Sequence, residues 1–204
     1  MLAVFLLFCS YNALALDFDI GTGITNYSKP QNGIYYQKGY PYSLDLQAST
    51  LSVGVSFKRH DLRYEAEFVS LGQAHTICVA EADATYNGYP HNGSHLYRLI
   101  GNGNITGGLF SVSKESYLPI GSLYGKVGLF VYKQMWKVEF SDIDGNYLGT
   151  ETHSTQLEVR PMLGLGYRVG NLDFGISYFK IDSHKDGLPF VSSDAYVFET
   201  KVSF

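Results

Sequence analysis

Four residues with metal-binding side chains stand in the segment HTICVAEADATYNGYPHNGSH. They are His75, Cys78, His91 and His95, and their spacing is that of a zinc finger whose first cysteine is replaced by histidine. A zinc finger also needs a hydrophobic ββα core, and VAEADATYNGYP has no such pattern. We therefore expect four residues of a loop. Histidines that meet in such a loop could still bind zinc or copper opportunistically.

A second set of reactive side chains lies in SYFKIDSHKDG, where Ser177, His184 and Asp186 could supply a nucleophile, a base and an acid. Polar residues in a loop often form such a set by accident, and the flanking residues match no lipase pattern. We therefore predict that the chain is not an enzyme and needs no cofactor. A lipid-modifying enzyme is the remote alternative.

The composition favours strands and argues against nucleic acid as a partner. A net charge of −4 and a pI near 5.8 leave no basic surface for a phosphate backbone. The chain has 17 Tyr, 13 Phe and 22 Gly, with only 17% charged residues, which is typical of β-sheet proteins. Its 204 residues are enough for one domain with a sizeable core or a closed barrel.

The first residues, MLAVFLLFCSYNALA, read as a secretory signal peptide cut after Ala15. An apolar run is followed by the small-x-small signal Ala-Leu-Ala, although no Lys or Arg precedes the run. A buried N-terminal strand is the alternative. Cys78 is then the single cysteine of the mature chain, so no internal disulfide is expected. No other stretch approaches the roughly 18–20 apolar residues of a membrane helix.

Alternation of apolar and polar residues predicts eight strands. In LRYEAEF, for example, Leu62, Tyr64 and Phe68 share one face, and the charged residues share the other. The predicted strands cover 16–25, 51–58, 62–68, about 104–114, about 122–138, 156–169, 172–178 and 196–204. Between them, long connections strictly alternate with short ones such as His60-Asp61 and Gly170-Asn171. Outer-membrane barrels sort long surface loops and short periplasmic turns in this way.

The two faces predict where each side chain points. Aromatic residues of the apolar face fall near both strand ends, as in the interfacial girdles of membrane barrels. The polar face carries nearly balanced acids and bases, which suits a lumen plugged by paired charges. The solvated outer face of a soluble barrel would be equally mixed. The predicted lumen network is Arg63, Glu65, Glu67, Lys126, Glu158, Arg160, Glu199 and Lys201.

Three segments resemble the last four strands of small outer-membrane barrels of the OmpA-like transmembrane and opacity-protein type. They are SLYGKVGL, MLGLGYRVGNLDFGISYF and VFETKVSF. The similarity runs from about residue 104 to the end and is weaker over GVSFKRHDLRYEAEF. It implies an eight-stranded barrel in a bacterial outer membrane, surrounded by outer-membrane lipid and lipopolysaccharide. Phe204 matches the C-terminal aromatic that such proteins present to the outer-membrane insertion machinery.

We therefore predict a signal peptide over 1–15 and one eight-stranded antiparallel up-and-down transmembrane β-barrel over 16–204. Its expected role is structural or adhesive, with loops that contact a surface or host ligand. No peptidoglycan-binding domain follows Phe204, so wall anchoring is not expected. Tyrosines supply broad contact area with a polar tip, although they could equally belong to the girdle and stiffen the loops. The candidate surface-contact residues are Tyr35, Tyr36, Tyr40, Tyr42 and Tyr89.

A secreted, soluble, lipocalin-like barrel that binds a small apolar ligand is the alternative. In that fold the apolar face would point inward and the charges outward, and alternation alone does not decide between the two orientations. The sorted loops, the aromatic bands and Phe204 favour the membrane barrel.

Overall fold

The computed structural model describes residues 15–28, 43–81, 96–142, 144–181 and 194–204. Within these ranges the chain forms ten β-strands. They are β1 (Leu16–Tyr27), β2 (Ser43–Asp45), β3 (Gln47–Arg59), β4 (Leu62–Glu81), β5 (Leu96–Tyr117), β6 (Ser122–Asp142), β7 (Tyr147–Ser154), β8 (Glu158–Val169), β9 (Leu172–Lys180) and β10 (Asp194–Ser203). No helix in these ranges has the length and apolar character needed to cross a membrane.

The strands close into an antiparallel barrel. Each strand pairs with its neighbours in the order β4, β3, β1, β10, β9, β8, β6 and β5, and β5 pairs back onto β4. The first and last strands meet in a continuous ladder that runs from Asp19 opposite Ser203 to Tyr27 opposite Ala195. The predicted eight-stranded antiparallel up-and-down β-barrel is therefore confirmed by the strand pairing.

Two further strands prolong the barrel wall. β2 pairs with β4 beyond the end of β3, and β7 pairs with β6 beyond the end of β8. The three short turns, at 60–61, 118–121 and 170–171, all lie at one end of the barrel, which we call the turn end. The opposite end, where β2 and β7 lie, is the loop end.

One side of the barrel is much taller than the other. β4, β5 and β6 have 20, 22 and 21 residues, whereas β9 and β10 have 9 and 10. About 9–11 residues of a tilted strand cross a membrane, so the three tall strands continue beyond it at the loop end. The outward face of β6 is apolar as far as Val131 and then carries Lys133 and the ion pair Lys137–Glu139, 2.6 Å apart.

The tall strands correct the expected loop position of two residues. His75 and Cys78 belong to β4, whose upper part pairs with residues 96–104 of β5. A β-bulge between Ser70 and Gln73 reverses the inward and outward positions, so one strand does not read as a single alternating pattern. Gly72 takes a φ of 78° in this bulge, and the Tyr27 hydroxyl donates to its carbonyl oxygen at 3.1 Å.

The apolar face forms the outer wall. Leu163 and Ile176 are 55% and 43% exposed, whereas Glu65 and Lys201 are 7% and 5% exposed. The exposed aromatic side chains include Phe18, Phe174 and Phe204 near the turn end and Phe68 and Phe198 nearer the loop end. A membrane barrel has this arrangement, with apolar side chains on the outside and charged side chains on the inside.

The interior has two layers of different chemistry. The charged layer lies toward the turn end and comprises Asp19, Arg63, Glu65, Glu67, Glu115, Lys126, Arg168, Asp173, Glu199 and Lys201. The apolar layer lies toward the loop end and comprises Tyr27, Val69, Leu71, Ile105, Leu109, Phe130, Tyr132, Met162, Phe179, Ile181, Ala195 and Val197. Along β4 and β10, charged inward residues give way to apolar ones in the direction of the loop end.

Inward glycines make room for the large side chains of the charged layer. A Cβ added at Gly166 would overlap the Tyr124 ring, and one added at Gly175 would lie 2.8 Å from the Tyr124 hydroxyl. The Tyr124 ring therefore packs against the backbones of β8 and β9, where the two glycines have no side chain. The outward Gly125 differs, because the nearest atom to an added Cβ is Leu165 Cδ2 at 3.9 Å.

Substitution of Gly166 by alanine should destabilise the barrel, because the new methyl group displaces Tyr124 from its place. Overpacking of this kind costs about 1–3 kcal/mol. We expect G166A to lower the urea midpoint of the purified barrel, measured by tyrosine fluorescence or by gel mobility. G125A is the matched control and should leave the midpoint unchanged. Equal midpoints for the two variants would contradict the close packing of Tyr124 against Gly166.

Candidate functional site

The centre of the charged layer is an ion pair between β4 and β6. Lys126 Nζ lies 2.9 Å from Glu65 Oε2 and 4.0 Å from Glu199 Oε1. The other Glu65 oxygen faces two guanidinium groups, those of Arg63 and Arg168, each at 3.8 Å. The Glu65 carboxylate thus faces three cations from three strands, which offsets the cost of its removal from water.

Arg63 joins the centre to the turn end of β1 and β10. Its guanidinium lies 3.1 Å from both Asp17 and Asp19. Asp19 in turn accepts hydrogen bonds from the Ser203 hydroxyl, at 2.5 Å, and from the Ser56 hydroxyl. These contacts stabilise the pairing of the first and last strands from inside the barrel, because Asp19 belongs to β1 and Ser203 to β10.

Lys201 continues the network toward the middle of the barrel. Its ammonium lies 2.6 Å from Glu67 Oε1 and 3.4 Å from Glu199 Oε1. Glu199 therefore lies between Lys201 and Lys126 and links the two lysines through one carboxylate. This part of the network joins β10 to β4 and β6 across the lumen.

Arg168 continues the network to the mouth of the barrel at the turn end. Its guanidinium lies 2.5 Å from Asp173 Oδ2 and also pairs with Glu115. The Tyr124 hydroxyl donates to Asp173 at 2.6 Å. At the rim, Lys58 pairs with Glu115, and its ammonium lies 4.8 Å from the centroid of the Tyr117 ring.

Six of the eight residues in the predicted lumen network lie together: Arg63, Glu65, Glu67, Lys126, Glu199 and Lys201. The other two, Glu158 and Arg160, form a separate pair 3.6 Å apart. They lie on β8 on the loop side of Met162, which belongs to the apolar layer. The Tyr132 hydroxyl donates to Glu158 at 3.1 Å.

Sequence reasoning missed Glu115 as a member of the network, because both faces of SVSKESY are polar and its alternation does not tell inside from outside. It also missed the whole apolar layer. Phe130 and Tyr132 stack with ring centroids 5.1 Å apart, and Phe130 meets the edge of Phe179 at 5.0 Å. The run LFVY on β6 is apolar on both faces, so it gives no sign that one face fills the lumen.

Of the other reactive candidates, the structure describes His75 and Cys78 on β4 and Ser177 on β9. The His75 ring lies 2.7 Å from the Asn102 amide oxygen in the tall wall. No group of three or more metal-ligating side chains occurs within the described ranges. Ser177 is buried in the interior. The remaining candidates lie outside the described residues: His91, His95, His184, Asp186 and the loop tyrosines Tyr35, Tyr36, Tyr40, Tyr42 and Tyr89.

Hydrogen bonds between Asn146 and Asp142 join the two arms of the hairpin between β6 and β7 at the loop end. Asn146 donates to the Asp142 carboxylate from its side chain and from its backbone, both at 2.7 Å. The side-chain bond and then the backbone bonds hold the pKa of Asp142 below its usual range. Asp144 and Gly145 between them are exposed. The carboxylate therefore remains charged, and able to accept both hydrogen bonds, to a lower pH than an ordinary aspartate.

No protein-family model matches the chain, and no curated protein matches its sequence. Solved structures similar to it include Neisserial surface protein A, with 12% identity and a TM-score of 0.42 over 93% of this chain and 96% of that one. The outer membrane protein OprG from Pseudomonas aeruginosa gives 11% identity and a TM-score of 0.46 over 94% and 97%. At these values the fold assignment rests on the strand pairing of the chain itself.

The strand pairing and the burial pattern agree on one architecture. A closed eight-stranded ladder with an exposed apolar wall and an ionic interior is the fold of the small outer-membrane barrels that the sequence resembles. The charged side chains of the interior pair with one another. Its chemistry is that of a structural network, because each base of the charged layer has acidic partners within 4.0 Å.

Removal of one member of a buried ion pair should destabilise the barrel far more than removal of one member of an exposed pair. Lys126→Met leaves Glu65 with only its longer contacts, and loss of one member of a buried pair costs about 3–5 kcal/mol. Urea titration of the purified barrel should show this loss. Lys137→Met is the control, because Lys137 pairs with Glu139 on the exposed wall, and it should leave the midpoint unchanged. Equal effects would mean that Lys126 is hydrated in the native barrel.

Proposed function

We propose that this chain is an integral, non-enzymatic barrel of a bacterial outer membrane that holds its lumen closed and displays its loop end at the surface. The observation that carries the proposal is the exposed apolar wall around a buried ionic interior. In water such a wall would leave many large apolar side chains solvated, whereas lipid tails accept them without cost.

The soluble, lipocalin-like alternative requires the opposite arrangement. A soluble carrier exposes its charges and lines an open cavity with apolar side chains. Here Leu163 and Ile176 face outward, whereas Lys126 and Glu65 face inward. The apolar residues that do point inward pack against one another in a filled layer. Both features favour the membrane barrel.

The paired charges support a closed lumen on the turn side. An eight-stranded barrel has room inside only for side chains. Arg63, Lys126 and Arg168 extend from β4, β6 and β8, respectively, toward the Glu65 carboxylate, which lies between them. An ion that entered this region would have to displace charges that already neutralise one another, so the network acts as a plug.

The surface role follows from the loop end. The tall strands carry the hairpin tip at 142–147 beyond the apolar wall. We propose that the loop tyrosines supply contact area there for a surface or host ligand, namely Tyr35, Tyr36, Tyr40, Tyr42 and Tyr89. Outer-membrane lipid and lipopolysaccharide would surround the wall, and Phe204 would present the last strand to the insertion machinery. The segment 1–15 would direct export and be removed.

Membrane integration is tested by fractionation combined with gel mobility. The protein should stay with outer membranes through a carbonate wash, because its apolar wall is embedded in lipid. It should also migrate differently in SDS before and after boiling, because the closed ladder resists detergent at room temperature. Release into the soluble periplasmic fraction without a boiling-dependent shift would overturn the proposal.

The orientation is tested with two single cysteines in a Cys78→Ser background. Asp144→Cys lies at the exposed hairpin tip, and Asn171→Cys lies in the exposed turn between β8 and β9. We expect a membrane-impermeant maleimide to label the first in intact cells. The second should be labelled only after the outer membrane is permeabilised.

Labelling of Asn171→Cys alone in intact cells would place the turn end outside and contradict the proposed orientation. Both variants should retain the boiling-dependent shift of the wild type, which shows that each still forms the barrel.

A further inference from the structure

We propose that the apolar layer is a complete second seal, able to block permeation without the charged layer. The inference rests on the proposed membrane function and deepens it, because it assigns the block to packed apolar side chains and not to the charged layer. Two seals of different chemistry would then lie in series along the lumen.

The apolar layer spans the whole cross-section of the barrel. Each of the eight barrel strands contributes to it within the described ranges. β4, β5, β6 and β10 supply two residues each, whereas β1, β8 and β9 supply Tyr27, Met162 and Phe179. β3 completes the ring through Ala48, which packs against the cluster. On β8 the Glu158–Arg160 pair borders the layer on its loop side, because these residues lie opposite Tyr132 and Phe130 in the ladder.

The layer is filled and its polar atoms are satisfied. Leu71 and Phe130 are fully buried, and Met162 is nearly so. The Tyr27 hydroxyl donates to the Leu71 carbonyl at 2.9 Å, and the Tyr132 hydroxyl donates to Glu158 at 3.1 Å. Water therefore finds no free donor or acceptor among the side chains of the layer.

The charged layer differs on this point. One oxygen of Glu67 and the Nε atoms of Arg63 and Arg168 are buried without a hydrogen-bond partner among the residues that the structure describes. Polar atoms of this kind bind water readily. Ion pairs can also exchange one partner for another without a change in the wall, whereas an apolar constriction excludes ions because nothing in it replaces their hydration shell. The apolar layer is therefore the stricter barrier.

Planar-bilayer recordings of purified, heat-modifiable barrels test the inference. Wild type should show no steady conductance. E65A/K126A, which removes the centre of the charged layer, should also remain closed, because the apolar layer is intact. When F130A, M162A and F179A are added to E65A/K126A, steady current steps should appear. L163A/I176A/F198A added to the same pair is the matched control on the outer wall and should remain closed.

Steady steps from E65A/K126A alone would overturn the inference, because the apolar layer would then have failed to block. The absence of current steps from the variant with all five substitutions would also overturn it, because the block would then lie elsewhere. If that variant loses its boiling-dependent shift, E65A/K126A/F130A/L71A takes its place and must conduct. Steady steps from the wild type would instead defeat the closed-lumen proposal, so the two failures are distinguishable.

Discussion

The narrow bore of an eight-stranded barrel is the constraint on which the rest of this structure depends. Closure of eight strands leaves an interior that side chains must fill themselves. Each inward side chain therefore meets one from another strand, and the two must be complementary. Glu65 faces Lys126, and Phe130 faces Phe179. Glycines such as Gly166 occur where a large neighbour takes the available volume.

The alternating pattern and the sorted lengths of the connections together predicted the barrel and the faces of most of its strands. Because side chains alternate along a strand, Leu62, Tyr64 and Phe68 lie on one face. The sorted lengths of the connections then indicate that this face contacts lipid. The eight-stranded fold class is confirmed in every strand pairing. Strand lengths were underestimated, because β4 and β5 continue beyond the membrane, where both faces are mixed in polarity.

The interior was predictable only where its polarity differs from that of the outer wall. Charged inward residues such as Glu67 stand out between apolar neighbours. Val69 and Leu71, two and four positions further along β4, do not, because the lumen there is as apolar as the lipid. The bulge at Gly72 then reverses the two faces. A single alternating pattern therefore no longer describes the whole of β4. Contacts across the lumen decide these positions, and they join distant segments of the chain.

The seam between β1 and β10 sets a condition on the order of folding. The Ser203 hydroxyl reaches Asp19 across 184 positions of sequence, and the backbones of Phe18 and Phe204 exchange two hydrogen bonds at the same seam. Until β10 docks, β1 keeps a free edge, which is a template for pairing with other chains. Such non-local pairing is slow to form. The chain therefore exposes an edge that favours aggregation until its last strand has been delivered and paired.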